Sequence, residues 1–539
     1  MIVQRALTEL PEDDTKSWTG PAHYVSLQHV LKPESPTTPL RIVTNSSLSD
    51  RNGNSLNSIL MKGPNPLSDQ RDVVSRWRCY EVGLSTDLTK AYFSMKTGEL
   101  EMHVRRVPWR YCKLGEKWRI FGYRTVNFGD KPAGVYLDIV LKRVADQFEA
   151  IDGVAAQKII NDRYVDDLAT GGSDSEVQRM IGDDGSSSEN KFETNGTLSQ
   201  ILSNGSLKLK AIVSSGETDI EKINKLGRSV LGITWNPTAD VISIDLRQGE
   251  ALEQLLETEV SIISLTKRIL LAICNRPHDL LGLIMPIVIR LMVAYRDLFR
   301  IEPPLSWDDQ IPLTEKTKWI QLLRIFKDVA NITFPRSTRP KHAVGGPEII
   351  GFFDGSDDAY AAVVYFRWVL ADGKIHVNLG GSKAKVTPLK RISTPRSELN
   401  GAVILCRLVL STIKSCTAAG TSPTRVWLLG DSECTLASIV KTSGAFGEYF
   451  GNRVGEILDI QARIQEYCEV GENGEWYHVA SANNPADQPT RMSSTADDIS
   501  SNSPWQRGPD YLYCPRETWP VNRDFANRKD ECNPSVELL

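Results

Sequence analysis

The amino-acid sequence predicts a multidomain protein of the α+β or α/β class. Its 539 residues correspond to about three or four domains at roughly 100–200 residues each. Apolar residues alternate at 231–235, as in a half-buried strand, whereas they follow helical spacing across 250–300. Two strand-like runs within 348–366 then precede a helix candidate at 396–414 and another strand at 424–430. Strands followed by a helix and a further strand are typical of this class.

The composition excludes several classes of protein. Lys and Arg number 63 against 67 Asp and Glu, a formal net charge of −4, so any contact with nucleic acid must come from local patches. A composition with 41% hydrophobic and 24% charged residues is that of an ordinary globular protein and excludes wholesale disorder. Nine cysteines without a C-x-x-C pair indicate reduced thiols, no structural zinc and a cytosolic or nuclear compartment.

Polar segments divide the chain. The first 40 or so residues and about the last fifty are polar and rich in turn formers, which predicts extended or loop-rich ends. Ser, Gly, Asn and Asp dominate 183–206, which predicts a loop-rich insertion around one short helix. The stretch 336–346 is typical of a linker between domains. The most apolar stretch, 280–289, is interrupted by Pro286 and is far shorter than the roughly 20 residues of a membrane span, so we expect no membrane contact.

A first group of carboxylates indicates a metal site. Asp166 and Asp167 lie between apolar residues, with glycines just beyond, as at the tip of a hairpin. Two like charges in a partly buried turn cost several kcal/mol unless they are neutralised, and a divalent cation is the usual solution. Asp87, between a polar strand and the start of a helix, is the best candidate for a third ligand. A surface hairpin that meets a distant aspartate by chance is the alternative.

These acids stand in motifs that resemble the palm of a reverse transcriptase. Asp87-Leu-Thr-Lys-Ala-Tyr92 is followed by Tyr164-Val-Asp-Asp, in which Asp166 stands 166 − 87 = 79 positions after Asp87. The resemblance implies that Asp87, Asp166 and Asp167 hold two Mg²⁺ ions, with Mn²⁺ as an alternative, for the attack of a primer 3′-hydroxyl. It also implies that Tyr92 lies under the sugar of the incoming nucleotide, excludes a 2′-hydroxyl, and forms the substrate site together with Tyr164.

Other motifs resemble one branch of that class, the BEL/Pao retrotransposons. They are Arg41-Ile-Val, 54–57, 62–65, 127–134 and 231–235, together with 266–286 in the helical middle of the chain. The resemblance implies that Arg41 approaches the triphosphate and that 231–235 lies near the primer. An exposed strand position for Arg41 and a core position for Trp235 are equally compatible with the sequence. No Gln accompanies Phe128-Gly129, so one nucleotide contact of the wider class is absent or replaced.

A second group of four acids occupies strand ends and helix starts. Asp354 ends a strand, Glu398 lies early in a helix, Asp431 ends the next strand, and Asp487 follows a further strand-like run. In a sheet covered by a helix, these positions converge. The set resembles ribonuclease H of the BEL/Pao type, which implies two Mg²⁺ ions and cleavage of the RNA strand of a hybrid by water. His478 is either a proton-shuttling base or a structural residue of its strand.

The resemblance implies a right-hand polymerase followed by an RNase H-like α/β domain. It places a polar lead-in at 1–21, fingers and palm at 22–248, a helical thumb or connection at 249–345, the RNase H-like domain at 346–492 and a polar tail at 493–539. The implied function is an RNA-directed DNA polymerase with ribonuclease H activity, a fragment of a retrotransposon polyprotein. Its partners would be an RNA template, a DNA primer, an RNA–DNA hybrid and dNTPs, with the oligomeric state left open. We expect it in the cytoplasm, with a virus-like particle or the nucleus as alternatives.

Two other functions compete with this interpretation. A catalytically inactive retroelement remnant would bind RNA–DNA hybrids without processing them. The Pao family is also described as a peptidase family, and Asp354-Gly-Ser superficially resembles an aspartic protease motif. The residue order is against a peptidase because such enzymes carry Asp-Thr-Gly or Asp-Ser-Gly, and the sequence has no second copy.

Overall fold

The structure is a computed structural model of the chain. It describes residues 6–526 with gaps at 32, 34–38, 111–114, 183–193, 228, 248, 261–262, 442–445 and 469–475. The chain divides into two compact units. The N-terminal unit comprises Met1–Asp69 and Leu84–Arg228, and the C-terminal unit comprises Gln70–Gly83 and Ser229–Leu539. Residues 1–5 of the predicted lead-in, 183–193 of the predicted insertion and 527–539 of the predicted tail lie outside the described residues.

The N-terminal unit contains three sheets, with strand orders β1-β6-β5, β2-β3 and β7-β8-β4-β9. Their strands are β1 (Leu7–Leu10), β2 (Ser26–Leu31), β3 (Leu40–Asn45), β4 (Val82–Asp87), β5 (Arg106–Trp109), β6 (Arg119–Tyr123), β7 (Arg163–Tyr164), β8 (Asp167–Gly172) and β9 (Val213–Ser214). Strand β1 pairs antiparallel with β6, so part of the predicted lead-in belongs to a sheet.

The described helices before residue 229 are short, except for α6. They are α1 (Glu12–Ser17), α2 (Leu56–Ile59), α3 (Gln70–Cys79), α4 (Ala91–Ser94), α5 (Glu99–His103), α6 (Ala133–Gln147), α7 (Gly153–Asn161), α8 (Asp174–Ile181), α9 (Thr197–Asn204) and α10 (Ile220–Leu226). Asp152 caps α7 by accepting hydrogen bonds from two backbone N–H groups of its first turn. Leu141, Ile159 and Leu202, from α6, α7 and α9, line a small cavity together with Leu168 of β8. These helices therefore pack beneath the β7–β8 hairpin.

The C-terminal unit contains a four-stranded sheet, β10-β11-β12-β13, and a six-stranded sheet, β16-β15-β14-β17-β18-β19. The strands are β10 (Ser229–Val230), β11 (Ile233–Asn236), β12 (Val241–Ser243), β13 (Phe334–Pro335), β14 (Ala343–Gly355), β15 (Ala359–Leu370), β16 (Ile375–Val386), β17 (Arg425–Gly430), β18 (Trp476–Val479) and β19 (Val521–Asn522). Strands β14, β15 and β16 form an antiparallel meander, whereas β14, β17 and β18 run parallel. Parallel neighbours need a crossover connection, which here contains a long helix.

That crossover helix, α15, is the core helix of the unit. The later helices are α11 (Gly249–Glu257), α12 (Lys267–Asn275), α13 (Met285–Asp297), α14 (Leu313–Asp328), α15 (Thr394–Ala418), α16 (Glu433–Lys441), α17 (Glu448–Gln465) and α18 (Pro504–Arg507). By length and composition α15 is apolar enough to cross a membrane, but 67% of its most apolar window is buried inside the unit. Leu399, Leu405 and Val409 join Phe353 of β14 in the main hydrophobic core. In the sequence, this apolar span is longer than the 280–289 stretch that we judged the most apolar.

Residues beyond 492 pack into the C-terminal unit, which differs from the predicted polar tail. Trp505 is fully buried and donates a hydrogen bond from Nε1 to the carbonyl of Leu283, at 2.8 Å. The Tyr365 hydroxyl donates to the carbonyl of Trp505 at 2.9 Å, and β19 pairs with β18. A few widely spaced aromatic side chains anchor this segment, and so few apolar positions give no periodic signal in the sequence.

Two buried arginines hold α3 in the C-terminal unit. Arg336 is fully buried, donates to the carbonyls of Trp77 and Tyr80 at 2.9 and 2.7 Å, and forms an ion pair with Asp240 at 2.7 Å. Arg78 donates to the carbonyl of Leu379 at 3.0 Å. Main-chain carbonyls thus satisfy both guanidinium groups, which would otherwise be costly to bury. The short segment 70–83 therefore belongs with residues that follow it by more than 150 positions.

Candidate functional site

The first three predicted acids meet in the sheet β7-β8-β4-β9. Asp87 ends β4, Asp166 lies in the turn between β7 and β8, and Asp167 begins β8. Strands β4 and β8 are neighbours, and the N–H of Leu88 donates to the carbonyl of Asp166 at 3.1 Å. On the other side, the N–H of Lys210 donates to the carbonyl of Asp87 at 2.8 Å. The backbone thereby brings all three aspartates to one edge of the sheet.

This cluster carries more negative charge than its surroundings neutralise. Burial and the charge of Asp166 raise the pKa of Asp87 to about 6, and burial with both neighbouring aspartates raises the pKa of Asp167 to about 7. Burial also raises the pKa of Asp166. Oδ1 of Asp87 is buried without a hydrogen-bond partner, and Lys210 Nζ lies 3.7 Å from Oδ2. Clustered carboxylate oxygens with an unused acceptor are the ligands that a hard divalent cation prefers.

Tyr92 lies beside the cluster, as the sequence suggests. It belongs to α4 and is 8% exposed, and its ring packs edge-to-face on Phe128, with centroids 4.8 Å apart. Burial and the charge of Asp166 raise the pKa of its hydroxyl to about 12, so the phenol stays neutral. Phe128 belongs to the 127–134 motif. That motif therefore holds the tyrosine in place, a role that the sequence analysis did not assign.

Arg41 and Tyr164 are the other two predicted substrate residues. Arg41 is exposed on β3, and its charge lowers the pKa of Asp87 and Asp166 against the larger effect of burial. Tyr164 is half-buried and pairs with Asp167 across the hairpin. In the turn that follows Tyr164, Val165 has φ of 58°, a conformation that β-branched residues rarely adopt. No sequence signal predicts this strained turn, which sets the direction of Asp166.

The second group of acids converges in the C-terminal unit. Asp354 lies on β14, Glu398 on α15, and Asp431 directly after β17, and one carboxylate oxygen from each lies within 4.8 Å of the others. Strands β14 and β17 are parallel neighbours, so their C-terminal ends share one edge of the sheet. Asp487, in a 3-10 turn at Pro485–Asp487, interacts with Asp354. The four predicted acids thus lie together.

Burial and mutual repulsion dominate the electrostatics of this cluster. Burial, then Asp354 and Asp431, raise the pKa of Glu398 to about 10. Burial and Asp354 raise the pKa of Asp487 to about 7. Oε2 of Glu398 and Oδ1 of Asp431 are buried without hydrogen-bond partners. Unpaired carboxylate oxygens that face one another fit bound divalent cations, which would supply the missing positive charge.

Hydroxyl groups that the sequence analysis missed orient these carboxylates. Thr490 donates a hydrogen bond to Oδ2 of Asp354, and Ser481 donates to Oδ2 of Asp431. Arg491 forms an ion pair with Asp487. Serine and threonine near an acid motif are too common in sequences to be singled out without the structure. His478 lies on β18 with Nδ1 3.4 Å from the side-chain nitrogen of Asn522, a partner outside the acid cluster.

Two glycines allow α15 to approach β14 closely enough to bring the acids together. A Cβ at Gly355 would lie 2.3 Å from the backbone nitrogen of Glu398. A Cβ at Gly401 would lie 2.7 Å from the carbonyl oxygen of Asp354. Side chains at either position would therefore push the helix away from the strand. Gly355 directly follows Asp354 in the sequence, which is the one signal that could have identified it.

Solved structures of foamy viral enzymes are similar to this chain in fold. The structure of the foamy viral protease-reverse transcriptase dRH in complex with ds DNA has 12% sequence identity and a TM-score of 0.50, over 88% of this chain and 67% of that chain. The foamy viral protease-reverse transcriptase in complex with dsDNA has 12% identity and a TM-score of 0.48, over 89% and 80%. At this identity the first likeness establishes a shared multidomain α+β fold and nothing more. No protein of curated function matches the chain.

A family match identifies part of the C-terminal unit. Residues 266–431 match the family described as Pao retrotransposon-like RNaseH-like domain. The matched stretch begins at α12, runs through β14–β16 and α15, and ends at Asp431, so it contains three of the four acids. The matched stretch also includes both sides of the predicted domain boundary between residues 345 and 346. Residues 229–539 likewise belong to one compact unit of the structure. The resemblance to Pao-type retrotransposons is confirmed over this stretch, where residues 266–431 match the family model.

Proposed function

We propose that this chain is an RNA-directed DNA polymerase with ribonuclease H activity, part of a retrotransposon polyprotein. The observation that carries the proposal is the convergence of Asp354, Glu398 and Asp431, whose carboxylate oxygens lie within 4.8 Å of one another. This convergence occurs in a segment that matches an RNaseH-like family. The aspartates of the N-terminal unit support the polymerase part of the proposal in the same way, since they too are clustered and short of positive charge, and Asp87 and Asp166 are half-buried.

At the nuclease site, the four acids would hold divalent cations, with Mg²⁺ preferred over Mn²⁺. When bound, such ions supply Lewis acidity and lower the pKa of a coordinated water. The chain itself orients the acids. Thr490 and Ser481 each donate a hydrogen bond to one carboxylate oxygen of Asp354 and Asp431, which leaves the other oxygen of each for a ligand. The substrate would be the RNA strand of an RNA–DNA hybrid, cut by water.

At the polymerase site, Asp87, Asp166 and Asp167 would hold the divalent cations. The positive charges of Lys210 and Arg41 lower the pKa of Asp87. Tyr92, fixed against Phe128, would lie under the sugar of the incoming dNTP and exclude a 2′-hydroxyl. Arg41 would approach the triphosphate, and Tyr164 would contact the substrate from the hairpin. The polymer substrates would be an RNA template and a DNA primer.

Cleavage of a labelled RNA–DNA hybrid with Mg²⁺ tests the nuclease. We expect the wild-type protein to cut the RNA strand and Asp354→Asn to lose this activity. The matched control is Asp372→Asn, which makes the same change at an exposed acid that pairs with Lys374 in a hairpin turn. An Asp354→Asn protein that cuts at the wild-type rate would show that the acid cluster is not the nuclease site.

Primer extension on poly(rA) with oligo(dT) and Mg²⁺ tests the polymerase. We expect incorporation by the wild-type protein, loss of incorporation in Asp166→Asn and unchanged incorporation in Asp174→Asn, an exposed acid of α8. Absence of incorporation by well-folded wild-type protein would refute the polymerase proposal. The nuclease assay is independent of this result, so each activity stands or falls on its own measurement.

A further inference from the structure

A second polar cluster lies between α15 and α17 in the C-terminal unit. We call Arg396, Asn400, Tyr449 and Arg453 the arginine–tyrosine cluster. The guanidinium carbons of Arg396 and Arg453 lie 4.8 and 3.6 Å from the centroid of the Tyr449 ring. Oδ1 of Asn400 accepts hydrogen bonds from the Tyr449 hydroxyl at 3.1 Å and from Nε of Arg453 at 2.7 Å. The two arginines are therefore held against one aromatic ring.

The positive charge of this cluster has no counterpart. Among the described residues, neither Arg396 nor Arg453 has a carboxylate partner, and Nε of Arg396 is buried without a hydrogen-bond partner. Arg407 on the same helix differs, since it forms an ion pair with Glu456 at 2.5 Å. The first turn of α15 contains Arg396 but no acidic residue, and a helix N-terminus is itself positive. Arg453 also donates a hydrogen bond to the carbonyl of Tyr449 at 3.2 Å, which leaves its charge uncompensated. Two guanidinium groups without a carboxylate partner, together with this dipole, favour an anion.

The cluster lies close to the nuclease acids. Arg396 and Asn400 are each two residues from Glu398 on α15, which corresponds to about 200° around the helix, so they face away from the acid. The distance across a helix with its side chains is about 10 Å. One strand of a nucleic-acid duplex rises about 3.4 Å per nucleotide. Because Arg396 lies in the first turn of α15, a duplex with one phosphodiester at the acids would have to pass the N-terminal end of this helix, where a phosphate about three nucleotides away would come near the arginines.

We propose that the arginine–tyrosine cluster binds a backbone phosphate of the nucleic-acid duplex whose RNA strand is cut at the acid cluster. The proposal rests on the proposed nuclease function and adds a substrate contact to it. Guanidinium groups donate paired hydrogen bonds to phosphate oxygens. Stacking on Tyr449 fixes the positions of both guanidinium groups before the ligand binds. Asn400, whose oxygen is already used, has an amide nitrogen as a further donor. The contact is to the backbone, so it positions the duplex without reading its sequence.

Binding of a short fluorescein-labelled RNA–DNA hybrid, followed by anisotropy in buffer without divalent cations, tests the proposal. We expect Arg396→Gln and Arg453→Gln each to raise Kd about tenfold and to reduce the slope of log K against log salt by about 1. Arg407→Gln is the matched control, because it removes the same charge from an ion-paired position of the same helix. It should leave Kd and the slope unchanged. Arg396→Lys should keep the slope, because it keeps the charge.

The outcomes separate the two proposals. If the wild-type protein cuts and binds the hybrid but both glutamine variants match Arg407→Gln in Kd and slope, the phosphate site is refuted and the nuclease stands. If the wild-type protein neither binds nor cuts the hybrid, the nuclease proposal fails and this one with it. Neutral methylphosphonate linkages test the same contact on unaltered protein, should a variant not fold. About tenfold weaker binding at a linkage about three nucleotides from the cut supports the site, and unchanged binding at all linkages from about two to four overturns it.

Discussion

Glu398 gives the sharpest test of the electrostatics of the acid cluster. It is 8% exposed, and burial together with Asp354, Asp431 and Asp487 raises its pKa from 4.5 to about 10. The folded protein without metal therefore binds a proton at this group more tightly than the unfolded chain does. Its contribution to stability is neutral below pH 4.5 and becomes increasingly unfavourable as the pH rises toward 10.

The size of this effect follows from the two pKa values. At pH 7 the unfolded group has lost its proton and the folded group has kept it, over 7 − 4.5 = 2.5 pH units, which at about 1.4 kcal/mol per unit amounts to about 3 kcal/mol. Glu398→Gln is neutral at every pH and nearly the same shape, so it avoids this cost. We expect the variant without metal to be up to about 3 kcal/mol more stable than the wild type at pH 7, and equally stable at pH 4. A rise of roughly 6–12 °C in the thermal midpoint corresponds to this difference.

Thermal denaturation of chelator-treated protein between pH 4 and pH 8 measures this difference. Adding Mg²⁺ should raise the midpoint of the wild type more than that of Glu398→Gln, because binding to the folded state alone stabilises it. Glu517→Gln, at an exposed position, controls for loss of a carboxylate as such. A Glu398→Gln protein less stable than the wild type at pH 7, or an equal pH dependence in both, would refute the assignment of an unneutralised carboxylate cluster.

Three further predictions concern the support of the acids and of the fold. Thr490→Val removes the hydroxyl that donates to the buried carboxylate of Asp354, and since hydrogen bonds to charged groups contribute about 1.5–3 kcal/mol to stability, we expect a loss of about that size in urea denaturation and about tenfold slower hybrid cleavage. Gly355→Ala places a methyl group against the backbone of Glu398, so we expect about 1–3 kcal/mol of destabilisation and slower cleavage, measured by urea denaturation and the hybrid assay. Arg336→Ala removes the ion-pair partner of Asp240 and the donor to the carbonyl of Trp77, and should lower the free energy of unfolding by about 3–5 kcal/mol; a loss below 1 kcal/mol would contradict a stabilising role of the buried Arg336.

The sequence predicts where the acids of the second cluster lie, because each one stands at the end of a strand or the start of a helix that a short stretch of sequence identifies. Asp354 and Asp431 end strands and Glu398 starts a helix, and a strand–helix–strand crossover brings those positions to one edge of a sheet. The mixed α/β architecture with several sheets is confirmed on the same grounds. Periodicity and motif spacing are properties of short windows, so contacts formed inside such windows can be read from them.

Contacts between distant segments are what the sequence does not reveal. Arg336 contacts Trp77, which lies 259 positions earlier but in the same C-terminal unit, through a main-chain carbonyl that any residue could provide. Trp505 buries itself against Leu283 although its neighbours are polar. In both cases one side chain decides where a whole segment packs, and the surrounding pattern is that of a loop. The hydroxyl of Thr490 belongs to the same category, since its role depends on the position of Asp354 and not on its own motif.

The net charge of −4 takes on a different meaning once the charges are placed in space. Among the residues that the structure describes, two partly buried clusters carry negative charge that lacks compensation, and carboxylate oxygens such as Oδ1 of Asp87 and Oε2 of Glu398 have no donor there. The positive charge that lacks compensation includes Arg396 and Arg453, about one helix diameter from the second cluster. Acids that need cations and arginines that need anions are each incomplete alone. Under the proposed function, a polyanion brought to metal-loaded carboxylates would satisfy both, which is how a chain with no overall positive charge would bind nucleic acid at the points where it is processed.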